Sequence, residues 1–309
     1  MKLLSLCIPT NGISEWVFPV LDAIYSQKVA TDEWEVVVTN NGNDKEFHEK
    51  ILSYAHSHDN LIYKQTDAFM FKNQIEALKI ATGEYLKFVN HRAILVPDTI
   101  EWMLSVIKEN LGEKPIIFWS NGSLKYKEPR INSTFDGFVR DLREYASWTT
   151  GVGVWKSDFE TIPEEWIYNS ISPHSDVLYW VRDRKQYIIE DKRWSYELEH
   201  SDVKKGSYDY YKAFGVEEIM IPVQLYIDGD ITAKTLKSVI KSYEKCVAKF
   251  YTTFNHLKVP CSYDLSGFKD NMGIFLNKKK VIFLSYMYIP RIFFGRMYYR
   301  MIARKGNSK

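Results

Sequence analysis

The chain has 309 residues, 45% hydrophobic and 15% aromatic, with a formal net charge of +2. That length and apolar content suit an α/β domain with an appendage, and the near-balanced charge gives no basis for a nucleic-acid partner. The three widely spaced cysteines, Cys7, Cys246 and Cys261, offer neither a disulfide framework nor a thiolate zinc site, so a reducing, cytoplasmic setting is expected.

Met1–Pro9 is too short before its proline for a secretory leader, and Leu3–Ile8 within it reads as a parallel strand covered on both faces. No segment reaches the ~18 uninterrupted apolar residues of a membrane span. Residues 16–25 are predicted to form a helix, with Trp16, Val20, Ala23 and Ile24 on one face, followed by a buried strand at Glu35–Val38. Strand, helix and strand make a right-handed crossover, and ligands of open α/β sheets lie beyond the carboxyl ends of the strands. The loops 9–12 and 40–44 should therefore border one crevice.

A helix over 45–57, a short strand at 61–64 and a helix over 71–81 come next, with Gly83 in the stop position. Gly83-Glu84-Tyr85 opens an apolar strand that runs into Asn90-His91-Arg92-Ala93 and then Pro97-Asp98. Helix 99–110 and strand 115–119 follow. Residues 125–143 are polar and without a clean period, and are read as an excursion over the site or the surface. Residues 149–159 hold a small-residue strand with Gly151 and Gly153, and a helix is expected around 171–184. Strand 186–190 leads to Lys192-Arg193-Trp194, which could line an acceptor phosphate or sugar or form a surface turn.

Toward the C-terminus, residues 231–256 have helical spacing, with Leu236, Val239, Ile240, Tyr243, Val247, Phe250 and Phe254 recurring at three and four. Lys278-Lys279-Lys280 precedes an apolar, aromatic stretch, 281–295, that Pro290 should break. Arg291, Arg296, Arg300 and Arg304 recur amid aromatics after it. Such a pattern suits a peripheral membrane surface or a helix docked with its arginines outward.

The strand ending in Ile8-Pro9-Thr10, the strand ending in Asn40-Asn41-Gly42 and the Gly83–Asp98 stretch, in that order, resemble family 2 glycosyltransferases of the GT-A fold. The resemblance is dense over the first hundred residues and continues by motif order to about Glu190. It implies an α/β, Rossmann-like fold with a mostly parallel central sheet flanked by helices over 1–230, and a C-terminal helical region over 231–309. It also implies transfer of a sugar, with inversion, from a nucleotide-sugar donor to a hydroxyl of a glycan acceptor. A lipid-linked bacterial surface polysaccharide at the inner face of the cell membrane is the expected acceptor.

Residue by residue, the resemblance places Pro9, Thr10 and Asn40 against the nucleoside. Lys72 would sit near the diphosphate, and Asn73 would take a structural or nucleoside role. Gly151 and Gly153 would let an acceptor approach the backbone. Asp176 matches the acid that takes the proton from the acceptor hydroxyl, with His174 as substitute; Ser175 or Asp176 could instead only cap the helix. The departure is at the Asp-X-Asp metal loop, where this chain has Asn90, Arg92 and Ala93. No cofactor or divalent metal is then expected, and Arg92, helped by His91 and Lys72, would stand in for the ion on the diphosphate unless it pairs with a carboxylate such as Asp98. The rival reading is a catalytically silent GT-A relative that binds glycans or acts as a scaffold.

Overall fold

The computed structural model of the chain describes residues 2–198 and 207–306, with side chains to 295. The first apolar run forms β1 (Leu4–Thr10), which outlasts the expected end at Ile8 because Pro9 and Thr10 still pair with Thr39 and Asn40. It is followed by α1 (Ser14–Tyr25), β2 (Trp34–Asn40), α2 (Lys45–His56), β3 (Leu61–Gln65), α3 (Asn73–Ile80) and β4 (Tyr85–Phe88). These four strands are parallel, in the order β3-β2-β1-β4. The chain therefore winds outward from β1 and returns to its other side, which makes the gap between β1 and β4 a topological switch point.

Next come β5 (Ala93–Leu95), α4 (Thr99–Asn110), β6 (Ile116–Trp119), β7 (Arg130–Asn132), α5 (Phe135–Leu142) and β8 (Gly153–Trp155). β8 closes the sheet antiparallel to β4. Then α6 (Lys156–Phe159), α7 (Pro173–Leu178), β9 (Tyr187–Glu190) and β10 (Ser195–Glu197) complete the unit Met1–Glu199. β9 joins β6 and β7 in a second small sheet, and β10 pairs antiparallel with β5. The mixed α/β architecture with a mostly parallel sheet flanked by helices is the one expected.

Particular expectations need correction. Residues 125–143 are not a bare excursion: they hold β7 and α5, whose Phe135, Phe138, Val139 and Leu142 are buried at helical spacing behind the N-cap Thr134. α7 stops at Leu178, well short of 184. Gly83 is no helix stop, since α3 ends at Ile80; a Cβ at Gly83 would lie 2.7 Å from Ser5 Oγ, so the glycine lets its chain pass β1. Gly151 and Gly153 make room for rings, as Cβ atoms there would meet Phe118 at 2.2 Å and the Tyr85 hydroxyl at 2.4 Å. An acceptor is not what approaches them.

The apolar strand β4 carries Lys87 fully buried. Its Nζ donates to the carbonyls of Phe88, Thr150 and Val152 and lies 4.6 Å above the Trp194 ring. Burial holds the Lys87 amine well below the usual lysine range. Trp194 is itself wholly buried, whereas Lys192, stacked over Trp102, and Arg193 stay exposed, so only the aromatic part of the cluster after β9 is packed into the fold.

The second unit spans His200–Lys309. It contains α8 (Tyr210–Lys212), a π-helical turn at Ala213–Glu217, α9 (Glu218–Ile227), α10 (Ala233–Tyr251), α11 (Phe268–Asn271) and α12 (Lys278–Gly306). The buried ring of Tyr210 packs against Phe214, Phe250 and Phe254, tying 207–230 to α10, so contacts divide the chain at 199/200 while the sequence pattern shifts at 230. Pro290 does not break α12; it is exposed, and the carbonyl it deprives of a donor can face water. Among the described residues no helix is long and apolar enough to cross a membrane. The side chains of Arg296, Arg300 and Arg304 lie outside those described.

Gly153→Ala should destabilise the first unit by roughly 1–3 kcal/mol, because the Tyr85 ring cannot retreat. Its hydroxyl donates to the Ile117 carbonyl at 3.0 Å and accepts from Trp119 Nε1 at 3.1 Å. Urea unfolding should show a lower midpoint with an unchanged slope.

Candidate functional site

At the carboxyl end of β1, Thr10 sits at the switch point. Its hydroxyl accepts from the Gly12 N–H at 3.1 Å and shares a hydrogen bond with His91 Nδ1 at 2.8 Å, which joins the loop after β4 to the loop after β1. His91 packs edge-on to Trp16 of α1, with ring centroids 5.0 Å apart. Burial first, and the neighbouring Arg92 charge second, push the His91 imidazole down to about 3. His91 is thus neutral at physiological pH and adds no positive charge to that of Arg92.

The facing loop is built with little slack. Asn40 is fully buried; its Nδ2 donates to Gln65 Oε1 at 2.9 Å and its Oδ1 accepts from the Gly42 N–H at 2.9 Å, so both ends of the amide are committed to the loop that was expected to contact a nucleoside. A Cβ on Gly42 would lie 2.0 Å from the Asn11 carbonyl oxygen, so the two loops touch backbone to backbone. Asn41 Nδ2 donates to the carbonyls of Ala68 and Met70 at 2.8 and 3.0 Å, holding a third loop beside them. A cleft of about 300 Å³ opens on this side, bordered by Gly42, Asp44, His48 and Gln65. Pro9 is half-buried in β1, while Lys72 is exposed on the turn before α3.

Asn73 begins α3 and is 3% exposed. Its Nδ2 donates to the carbonyls of Thr10 and Thr39 at 3.0 and 2.9 Å, and its Oδ1 accepts from the Thr66 hydroxyl at 2.9 Å. Its role is structural: it ties the ends of β1 and β2 to the loop before α3.

Arg92 lies in the loop after β4, where the Asn90 side-chain oxygen accepts from its backbone N–H at 3.0 Å. The residue is nine-tenths buried, with its guanidinium carbon 5.1 Å above the Trp16 ring and Nη2 2.8 Å from Glu197 of β10. The partner is Glu197 and not the nearby Asp98. Nε and Nη1 are buried without a hydrogen-bond partner among the described residues. A guanidinium has five donors and keeps its charge, so beyond its pair with Glu197 this side chain remains short of acceptors at Nε and Nη1. The same loop does not suit a divalent cation: the Asn90 oxygen is in use, a permanent cation stands beside it, and the adjacent carboxylate of Glu197 is paired with that cation.

The acid–base candidates lie on α7. His174 is buried, with Nε2 3.0 Å from the Ser147 carbonyl and Nδ1 3.0 Å from the Gln74 amide oxygen and 3.3 Å from the Thr149 hydroxyl. Burial pushes its imidazole down to about 4, and both nitrogens are engaged, so it anchors α7 and is poorly placed to take a proton. Asp176 is half-buried; its Oδ2 accepts from the Asn169 N–H and does not cap α7. Burial outweighs that bond and pushes its carboxyl up to about 6. Gln74, which the sequence did not single out, follows Asn73 directly, so consecutive residues of α3 reach the ends of β1 and β2 and the helix of Asp176.

No protein-family profile and no curated protein matches the chain. Solved structures of S. aureus TarS are similar to it. One TarS structure shares 19% identity over 82% of this chain and 44% of its own, with a TM-score of 0.51. The piece 1–349 matches at 18% identity, covering 89% of this chain and 76% of that one, with a TM-score of 0.52. The same piece in complex with UDP-GlcNAc matches at 19% identity, covering 84% and 76%, with a TM-score of 0.55. The chain shares its fold with these TarS structures. This chain spans less than half of the first of those TarS chains.

Asn73→Ala should cost roughly 2–4 kcal/mol, because two buried carbonyls lose their donor, whereas Lys72→Ala beside it should stay within about 0.5 kcal/mol of the parent. Paired urea titrations of the two variants would show the difference.

Proposed function

We propose that the chain moves a sugar from a nucleotide-sugar donor to a hydroxyl of a glycan acceptor, with inversion and without a divalent metal. The observation that carries the reading is Arg92: a buried guanidinium with unpaired donors, beside the switch-point crevice of a chain that shares its fold with a protein solved with UDP-GlcNAc. A diphosphate oxygen placed on Nε and Nη1 would complete the fork, and the fixed charge would stabilise the departing nucleotide. Glu197 is no lasting rival, since its carboxylate is more than half exposed and its hold on Arg92 is weakened by water. Lys72 would add a second positive charge, and neutral His91 none.

Asp176 would take the proton of the acceptor hydroxyl as that oxygen attacks the anomeric carbon. A carboxyl pushed up to about 6 is still mostly ionised at pH 7 and is a stronger base than an ordinary aspartate. The second unit supports work on a lipid-linked acceptor, such as a surface polysaccharide at the inner face of the cell membrane. α12 exposes Phe283, Tyr286, Met287 and Phe294, with Lys279 and Arg291 also exposed. Lys278 and Lys280 turn inward to the Lys269 carbonyl and to Glu244, so the basic share of that surface is smaller than the sequence suggests.

Calorimetric titration with a panel of nucleotide-sugars that includes UDP-GlcNAc tests the donor site. Binding should be indifferent to EDTA, lost in Arg92→Ala and partly kept in Arg92→Lys. A manganese requirement, or full affinity in Arg92→Ala, would overturn the metal-free reading, and a flat response to every nucleotide would favour the silent relative. Asp176→Asn should lower transfer at least ~100-fold with donor affinity near the parent's. In the parent, kcat/KM should fall below about pH 6 as the Asp176 carboxylate takes up a proton and level off above it. Retained transfer in Asp176→Asn would move the base elsewhere.

A further inference from the structure

The loop between α6 and α7 carries Trp166 with two-fifths of its surface exposed and Ile167 almost entirely exposed. Large apolar side chains displayed together need a reason. The loop is pinned at two points, to α7 and to the turn that follows it. The Asn169 N–H donates to Asp176 Oδ2, and the Trp166 ring packs edge-on against Trp180, with centroids 4.9 Å apart. Trp180 is fixed in turn by its indole N–H, which donates to the Thr161 hydroxyl at 2.8 Å. The exposed indole is thus held through a rigid neighbour, and that neighbour stands in the turn just after α7, four residues along the chain from Asp176.

We infer that Trp166, backed by Trp180 and extended by Ile167, is a stacking platform for a pyranose ring of the glycan acceptor. The inference rests on the transferase reading. An indole presents a broad, electron-rich face, and a pyranose presents a face of C–H bonds, so the two suit each other without any charged group. The hydroxyls at the rim of a ring seated there point outward, toward groups such as the Asp176 carboxylate. The pinning has a purpose under this assignment: the Asn169–Asp176 bond sets the distance between platform and base, so that a stacked sugar offers its hydroxyl at a fixed reach. A ring-shaped acceptor is selected over an open polyol, which has the hydroxyls but no flat C–H face. Glu164 and Glu165 precede the platform, so an anionic acceptor unit is disfavoured at this position and a neutral sugar favoured.

The test uses the full chain and simple probes: methyl β-glucopyranoside, methyl β-N-acetylglucosaminide and the open-chain polyol sorbitol, followed by tryptophan fluorescence and saturation-transfer NMR. At least one pyranoside should bind, with its C–H protons receiving the saturation. Its Kd should rise roughly five- to tenfold in Trp166→Ala and stay within about twofold in Trp166→Phe, and sorbitol should not bind. Equal binding by Trp166→Ala, equal binding of sorbitol, or no pyranoside binding in the parent would each overturn the platform. Nucleotide-sugar affinity, measured on the same samples, separates this result from the transferase reading. Pyranoside stacking without any nucleotide binding would refute the transferase and leave the platform standing, and nucleotide binding with Trp166 inert would do the reverse.

Discussion

The Asn73 carboxamide is the constraint on which the site depends. By donating to the ends of both β1 and β2 it fixes where the two central strands stop, and by accepting from Thr66 it fixes the loop that borders them. Successive helix residues point about 100° apart, so Gln74 faces a different way and reaches His174 on α7. One turn of helix thereby sets the loops after β1 and β2 and the helix of Asp176 in relation to each other. Neither Asn73 nor Gln74 needs to touch a substrate to do this.

Two buried cations in and just after β4 show why the chemistry of the side chain matters more than its charge. Lys87 lies among backbone carbonyls to which its Nζ donates, and burial lowers the proton affinity of its amine. Arg92 cannot do the same. Its guanidinium stays charged, and a single half-exposed glutamate leaves two of its nitrogens unsatisfied. An arginine in that state is costly in an empty protein and useful in one that binds an anion, which is how strain at a site and function at a site come to coincide.

The frame of the protein could be read from the sequence because its signals are local. The apolar runs of β1 and β2, the helix of Thr99–Asn110 and the turn residues between them each specify their own element. What could not be read was set across long separations. Nothing near Arg92 announces Glu197, which lies on a strand paired with β5 from more than a hundred residues away. Nothing near Gln74 announces His174. Gly151 and Gly153 looked like open backbone because the rings that fill their space, Phe118 and Tyr85, belong to other strands. α5 is the exception, a local signal passed over: Phe135, Phe138, Val139 and Leu142 keep a helical period that the charges between them obscured.

The backbone contact between Gly42 and Asn11 has a consequence for how this protein can change over time. With no side chain between the two loops, neither can be lengthened or re-routed without moving the other, and any residue larger than glycine at 42 would push both off the cleft. Change over time is therefore steered away from these loops and toward the exposed Phe69, whose segment Asn41 anchors through backbone carbonyls, while Met70 beside it is limited by its φ of 47°. Relatives should keep the glycine and vary at 69.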